Sequence, residues 1–558
     1  MTKPNLLEIN CLQVDFPSDT GTVEAVKRIS FTLKNGETLG IVGESGSGKS
    51  VTALSILGLL PVSTKLKTGE ILFQTRENGL LDLAKLPQEK LRKIRGHEAA
   101  MIFQEPMTSL NPVFRCGEQV AEAIRLHQKL DDKAARQQVL ALFEKVKLAD
   151  AERIYKSYPH QLSGGQRQRV MIAMALSCNP SLLIADEPTS ALDVTVQRSI
   201  LDLINELKNE WGGSTIFITH DLGVVSEVAD RVLVMQKGEV VEQGRVADIF
   251  KKPEHPYTQN LLKNFQQRNR PATVKIQPAD PASFELSAQS GTLPYLSVKN
   301  LHTWFPSKRN FWGRPLHYVK AVDGVSFDVF KGETLGLVGE SGSGKTTLGR
   351  SILNLLEPTG GEVIFENKNL VALADHEWKA LRKDMQIIFQ DPYSSLNPRM
   401  PIGSALVEPM KVHGILTSEK QRREKALHLL ETVGLEASHF WRFPGEFSGG
   451  QRQRIAIARA LALEPKLIVC DECVSSLDVT VQTQVLDLLK DLQAKHGLTY
   501  LFISHDLSVV RLMSDRIAVM KDGKIQELGT AEEVWNHPKT GYTRALLSSI
   551  PGKGNWGN

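Results

Sequence analysis

The 558-residue chain has only five cysteines: Cys11, Cys116, Cys178, Cys470 and Cys473. They are too few and too scattered for a disulfide framework, which points to a reducing compartment. Cys470 and Cys473 form one CxxC, but no second pair completes a tetrahedral zinc site, so both are read as reduced thiols. No stretch reaches about 18 consecutive apolar residues, which excludes a bilayer-spanning helix, so any work at a membrane would go through partners. No secretory leader is read at the start, where Met1–Asn5 leads directly into a strand-like run. The net charge of +4 is small for this length and does not point to nucleic acid. Apolar content is ordinary for a globular protein, and the length suggests about four compact units.

What the chain does have is duplication. The run Leu162-Ser163-Gly164-Gly165-Gln166-Arg167-Gln168-Arg169 returns as Phe447-Ser448-Gly449-Gly450-Gln451-Arg452-Gln453-Arg454. Ser163 and Ser448 sit where a helix N-cap belongs, ahead of an apolar run long enough for a buried helix. The glycines let backbone approach a ligand, and free N–H groups with the helix dipole favour an anion there. Lys49 and Lys345 lie 296 positions apart, Gln104 and Gln390 286, and Ser163/Ser448, Asp186/Asp471 and His220/His505 all 285. A constant register after the signature run argues for a duplicated domain, with differing insertions before it.

The motifs in each copy carry phosphate chemistry. The apolar strand Leu39-Gly40-Ile41-Val42 ends in Gly43-Glu44-Ser45-Gly46-Ser47-Gly48-Lys49-Ser50, with its twin at Gly339-Glu340-Ser341-Gly342-Ser343-Gly344-Lys345-Thr346. This is GxxxxGK[ST] between a strand and a helix. Backbone N–H groups can cradle the β-phosphate, the lysine neutralises β- and γ-charge, and the hydroxyl of Ser50 or Thr346 can ligate Mg²⁺. Further on, Leu182-Leu183-Ile184-Ala185-Asp186-Glu187 repeats as Leu467-Ile468-Val469-Cys470-Asp471-Glu472. Four apolar residues predict a buried parallel strand, with two carboxylates at its C-terminal end, where ligands collect in open α/β sheets. The aspartates are assigned to Mg²⁺ through water. The glutamates are assigned to accept a proton from attacking water, a role worth ~10²–10⁴-fold in rate.

The signature run, with these motifs, resembles the ATP-binding cassette (ABC) family, and the resemblance covers nearly the whole chain. It implies an α/β fold of two P-loop NTPase cassettes in tandem. Each would have a RecA-like lobe, an antiparallel β subdomain and a helical lobe carrying the signature, the last read over 113–160 and 399–445. The expected domains are 1–264 and 295–550, with a Pro/Ser/Ala/Gln-rich linker at 265–294 and a tail at 551–558. The resemblance implies that Phe16 and Phe305, ending the first strand of each copy, stack on adenine, with Trp304 an alternative in the second. It makes Gln104 and Gln390 the Q-loop residues that reach Mg²⁺ and water and move with a transporter's membrane part. It gives His220 and His505 the γ-phosphate contact, and Ser190-Ala191-Leu192-Asp193 and Ser475-Ser476-Leu477-Asp478 a crossing loop between cassettes.

In this family the signature of one cassette completes the site of the other. Ser163, Gly165 and Gln166 would therefore close the site on Lys345, and Ser448, Gly450 and Gln451 the site on Lys49. Both copies keep the glutamate, so two hydrolytic sites are expected, but Cys473-Val474 replaces Pro188-Thr189 and breaks the symmetry. Ser109-Leu110-Asn111-Pro112 and Ser395-Leu396-Asn397-Pro398, with Pro253-Glu254-His255-Pro256-Tyr257-Thr258 as an HPYT tail, resemble the subfamily importing dipeptides, oligopeptides, glutathione or nickel. The second tail, Pro538-Lys539-Thr540-Gly541-Tyr542-Thr543, matches in part, and both tails are expected to pack on the cassette without a catalytic role.

The leading reading is the ATP-hydrolysing subunit of a bacterial peptide importer, with ATP and Mg²⁺ as cofactors. Its partners would be two transmembrane permeases and an extracytoplasmic binding protein, at the cytoplasmic face of the plasma membrane, without direct contact to cargo. The competing readings are a soluble tandem cassette acting on ribosomes, which would carry a longer charged linker, and a DNA-repair cassette ATPase, which would need zinc modules or coiled-coil insertions. The cargo itself is not written in this sequence.

Overall fold

The computed structural model describes residues 4–18, 21–61, 64–104, 109–189, 192–269, 293–309, 315–475 and 477–551. These divide into two compact units, one holding nearly all of the chain up to Gln266 and the other the stretch from 267 to 550. In the first unit, β1 (Asn5–Ser18), β2 (Gly21–Lys34), β4 (Lys65–Thr75) and β5 (Gly79–Asp82) form an antiparallel sheet in the order β2-β1-β4-β5. A second sheet runs β10-β9-β3-β8-β7-β6, built from β3 (Thr38–Val42), β6 (Ala99–Ile102), β7 (Leu182–Asp186), β8 (Ser214–Thr219), β9 (Arg231–Gln236) and β10 (Glu239–Arg245). Its strands are parallel except for the antiparallel edge pair β9–β10.

The second unit repeats the plan. Strands β11 (Leu296–Arg309), β12 (Pro315–Val329), β14 (Gly360–Phe365) and β15 (Lys368–Asn369) make the antiparallel sheet. Strands β13 (Thr334–Val338), β16 (Met385–Ile388), β17 (Leu467–Asp471), β18 (Thr499–Ser504), β19 (Arg516–Lys521) and β20 (Lys524–Thr530) make the other, ordered β16-β17-β18-β13-β19-β20.

The opening strands are long, 14 residues each for β1 and β2. Register shifts at Ile9/Leu12 and Leu12/Val14 show how so long a pair is accommodated, because a bulge bends a strand without ending it. Phe16 therefore lies inside β1 and Phe305 inside β11, neither at the last residue. The helix Pro256–Asn269 continues past the expected boundary at 264, and most of the expected linker, residues 270–292, lies outside the described residues, as does the tail from 552.

Strand alternation divides each parallel sheet into two faces. Leu182, Ile184, Ile216 and Ile218 pack with Ala53 and Ile56 of the helix Lys49–Ile56 and with the antiparallel sheet. Leu183, Ala185 and Phe217 face the helical lobe, built on the helices Cys116–Gln128, Asp132–Lys145 and Gly164–Leu176. In the second unit Ile468, Cys470 and Phe502 take the helical-lobe side. Cys470 thus fills the core slot that Ala185 fills in the first copy, which gives it a packing role, and all five cysteines are free thiols.

One buried acid in each unit ties the sheet's base together. Glu333, fully buried, accepts from the Phe330 amide at 2.7 Å and from Arg516 Nη1 at 3.1 Å. Glu37 does the same with the Lys34 amide at 2.7 Å and Arg231 Nη1 at 3.1 Å. Replacing Glu333 by Ala leaves the half-buried Phe330 amide without its acceptor and Arg516 with only the Asp328 carbonyl, a loss of about 2 kcal/mol. Calorimetry of the E333A chain should show an unfolding transition about 4–8 °C lower; an unchanged thermogram would remove the acid from the fold's supports.

Candidate functional site

The same alternation sets the site. Asp186 follows Ala185 and so returns to the face of Ile184, where the helix Lys49–Ile56 lies. Ser50 Oγ there donates to Asp186 Oδ1 at 3.1 Å, and Thr346 Oγ1 donates to Asp471 Oδ1 at 2.8 Å in the second unit. Burial pushes the Asp186 carboxyl up to about 6, against the downward pull of the Ser50 hydrogen bond. Asp471 is raised for the same reason, and its buried Oδ2 accepts no hydrogen bond, with Arg350 Nη2 at 3.8 Å.

The phosphate-type loops join β3 and β13 to the following helices. Their helix-starting glycines, Gly48 and Gly344, have φ of 98° and 103°. A Cβ there would meet the Ala25 and Ala321 carbonyls at 2.6 and 2.0 Å, so only glycine fits. Lys49 Nζ donates to the Gly43 and Glu44 carbonyls at 2.8 Å each, and Lys345 Nζ to those of Gly339 and Glu340 at 2.8 and 2.9 Å. Both ammonium groups are buried, and burial lowers the Lys345 pKa. Ser45, Gly46, Ser341 and Gly342 form the exposed crests of the loops.

Each glutamate is gripped from two sides. Gln104 Nε2 donates to Glu187 Oε2 at 3.0 Å, and His220 Nδ1 lies 3.2 Å from Oε1. In the second unit Gln390 Nε2 and His505 Nδ1 both reach Glu472 Oε2, at 2.9 and 3.2 Å, while Lys345 Nζ stands 3.9 Å from Oε1. Burial alone would raise both glutamates, but the histidine bond and charge outweigh it and hold them below the usual carboxylate value. Burial would likewise lower the histidines, yet the same bonds raise them. The glutamines, expected to reach Mg²⁺ and the attacking water, have their amides on the glutamates.

A feature no sequence motif announces is the backbone at the glutamates. Glu187 and Glu472 have φ of 46° and 47°, the left-handed region that costs a non-glycine residue about 1–2 kcal/mol. The turn is held by the Glu187 amide on the Ile218 carbonyl and the Glu472 amide on that of Ile503, both at 2.9 Å. It swings each glutamate away from the strand's alternation, to where glutamine and histidine can meet it.

The signature runs begin the helices Gly164–Leu176 and Gly449–Leu461. Ser163 and Ser448 are the N-caps and are exposed. Each helix start is a capping box: Gln166 N donates to Ser163 Oγ at 3.3 Å, and Ser163 N to Gln166 Oε1 at 3.0 Å, with the same distances between Gln451 and Ser448. The S-x-x-Q spacing is the sequence signal for it. A Cβ on Gly165 would lie 2.8 Å from Val196 and one on Gly450 2.2 Å from Val481, so helix packing alone requires these glycines. Gly164 and Gly449 meet only Leu192 and Leu477, at 3.5 and 3.8 Å.

The aromatics differ between copies. Phe16 is half-buried against the core of its unit, whereas Phe305 is exposed. Trp304 is occupied, with Lys320 Nζ 4.5 Å from its ring centroid and His302 edge-on at 5.4 Å. Residues 105–108, 190, 191 and 476, which carry parts of the expected proline-containing and crossing loops, lie outside the described residues. Beside the β16 end that carries Gln390, a cavity of about 390 Å³ is lined by Trp378, Phe389, Val412, His413 and Arg459. None of the helices among the described residues is long and apolar enough to cross a membrane.

Comparison with known proteins shows the family. The ABC transporter family matches residues 26–190 and 322–475. The C-terminal region of oligopeptide/dipeptide transporters matches 241–290 and 526–557. The glutathione import ATP-binding proteins GsiA of Escherichia coli (strain K12) and Shigella sonnei are each 50% identical over 98% of this chain and 90% of their own. The dimeric MJ0796 structure, a bacterial ABC transporter cassette, aligns with a TM-score of 0.39 at 31% identity, over 42% of this chain and 98% of that one. The chain belongs to the ABC transporter family, as an ATPase of two tandem cassettes each ending in the oligopeptide/dipeptide C-terminal region.

Proposed function

We propose that this chain is the motor of a bacterial importer for small peptides, with glutathione the first candidate cargo. The observation that carries the reading is a complete lysine, hydroxyl, aspartate, glutamate, glutamine and histidine set in each unit. Whole-length similarity to glutathione import proteins supports the cargo. Its partners are two permeases and an extracytoplasmic binding protein, and it works at the cytoplasmic face of the membrane. The cavity beside Gln390 is offered as the seat of a permease's cytoplasmic segment. A ribosomal role is disfavoured by those same relatives.

The Ser50–Asp186 and Thr346–Asp471 pairs fit a hard cation: all donors are oxygen, and Asp471 keeps a buried carboxylate oxygen without a hydrogen bond. Mg²⁺ held there would neutralise charge on the β- and γ-phosphates. Lys49 and Lys345 would keep the Gly43 and Gly339 carbonyls and turn their other N–H groups from the loop to phosphate oxygens. Glu187 and Glu472 would take a proton from the attacking water, with Gln104 or Gln390 orienting that water and His220 or His505 reaching the γ-phosphate. Phe16 and Phe305 would stack on adenine. The exposed caps at Ser163 and Ser448 would each aim free helix N–H groups at the γ-phosphate held by the other unit.

Glu187→Gln with Glu472→Gln should lower ATPase turnover by ~10²-fold or more while ATP binding persists; turnover near that of the parent would refute the assigned bases. Ser163→Arg should block nucleotide trapping at the site on Lys345 and spare that on Lys49, with Ser448→Arg giving the reverse. Equal effects at both sites, read by photolabelling and peptide mapping, would sink the shared arrangement. Cells lacking the chain should lose uptake of labelled glutathione, and undiminished uptake would redirect the search for cargo.

A further inference from the structure

The tail segments do more than pack. In the first unit Glu242, on β10, accepts the amides of Glu254 at 2.8 Å and His255 at 3.2 Å. Glu527, on β20, accepts those of Lys539 at 2.8 Å and Thr540 at 3.1 Å, and the Thr543 hydroxyl at 2.6 Å. The Thr-Gly that replaces His-Pro keeps the helix start intact, because Thr540 Oγ1 accepts the Thr543 amide at 3.1 Å. His255 Nδ1 instead accepts the Tyr257 amide, at 3.2 Å. Two different sequences therefore build one anchored helix start, and both aim a tyrosine at the phosphate loop.

The contact is the same in both copies. The Glu44 amide donates to the Tyr257 hydroxyl at 3.0 Å, and the Glu340 amide to the Tyr542 hydroxyl at 3.2 Å. That N–H belongs to the peptide joining Gly43 to Glu44, whose carbonyl accepts Lys49 Nζ at 2.8 Å. The Gly339–Glu340 peptide holds Lys345 Nζ at the same distance. One rigid peptide plane thus links phenol and ammonium. The residue before it must be glycine, since a Cβ would fall 2.2 Å from the Met235 carbonyl or 2.1 Å from that of Met520. Glycine puts few limits on the plane's rotation, so an external partner must fix it. Burial pushes the Tyr542 phenol up to about 12, which keeps it a neutral hydroxyl at physiological pH.

We propose that Tyr257 and Tyr542 are positioning residues: each orients the peptide that seats the site lysine, so the C-terminal segment of each cassette sets that cassette's affinity for ATP. The inference rests on the ATP sites assigned above. Each segment is anchored to its own edge strand, β10 or β20, so anything that displaces it would loosen the lysine.

The test uses the full chain with Tyr257→Phe, Tyr542→Phe and the double variant, which keep the ring and remove the hydroxyl. A fluorescent ATP analogue gives Kd, and steady-state assays give KM and kcat. Loss of one neutral hydrogen bond corresponds to ~3–10-fold. The double variant should raise Kd and KM for ATP by that factor with kcat within about twofold, and each single variant should affect only its own site. Hydrogen exchange over residues 40–50 and 336–346 should rise in step. Glu242→Gln and Glu527→Gln, which slacken the anchor without touching the loop, should shift KM in the same direction by less. Unchanged Kd and KM in the double variant, with only its melting temperature lowered, would make the tyrosines packing residues and overturn the proposal. A parent chain that binds no ATP would instead overturn the site assignment beneath it.

Discussion

A buried ammonium held by its own loop's carbonyls is the constraint on which each unit depends. An ionised lysine away from water needs replacement partners, because desolvating it alone is prohibitively costly. Lys49 and Lys345 find them in two successive carbonyls of the loop that precedes them. This requires the loop to curl back over the helix start, which requires glycine at positions 48 and 344, where neighbouring carbonyls leave no room for a side chain. The parallel sheet delivers loop, aspartate and histidine to one edge, since β3, β7 and β8, like β13, β17 and β18, are parallel neighbours.

Much of this was legible from residue order. Strand–loop–helix spacing pointed to the lysines, and an apolar run ending in two carboxylates pointed to Asp186 and Asp471; their contact with Ser50 and Thr346 is a finding of the structure. Motif spacing could not reveal the left-handed turn at Glu187 and Glu472. No residue type marks it, and it exists only because the next strand's carbonyl captures the glutamate amide. The tail tyrosines were expected to pack, and their reach to the phosphate loop depends on a fold that brings residues 44 and 257 together from opposite ends of a cassette. The signature glycines were read as serving ligand approach; Gly165 and Gly450 are already demanded by the valines packed on them.

The two copies are alike in plan and unlike in detail. In the first, glutamine and histidine grip separate oxygens of the glutamate; in the second they share one. The second copy also has Cys473 and Val474, both buried, where the first has Pro188 and Thr189. Duplicated sites whose matching partners reach different oxygens are free to diverge in rate while keeping one fold.

The strained turn at Glu187 and Glu472 carries a consequence for protein engineering. Glycine, and to a lesser degree asparagine, is at ease in that conformation. A library ranked by heat resistance alone would therefore enrich such replacements at both positions and discard catalysis while reporting improvement. Selection for hardiness and selection for turnover pull these two codons in opposite directions.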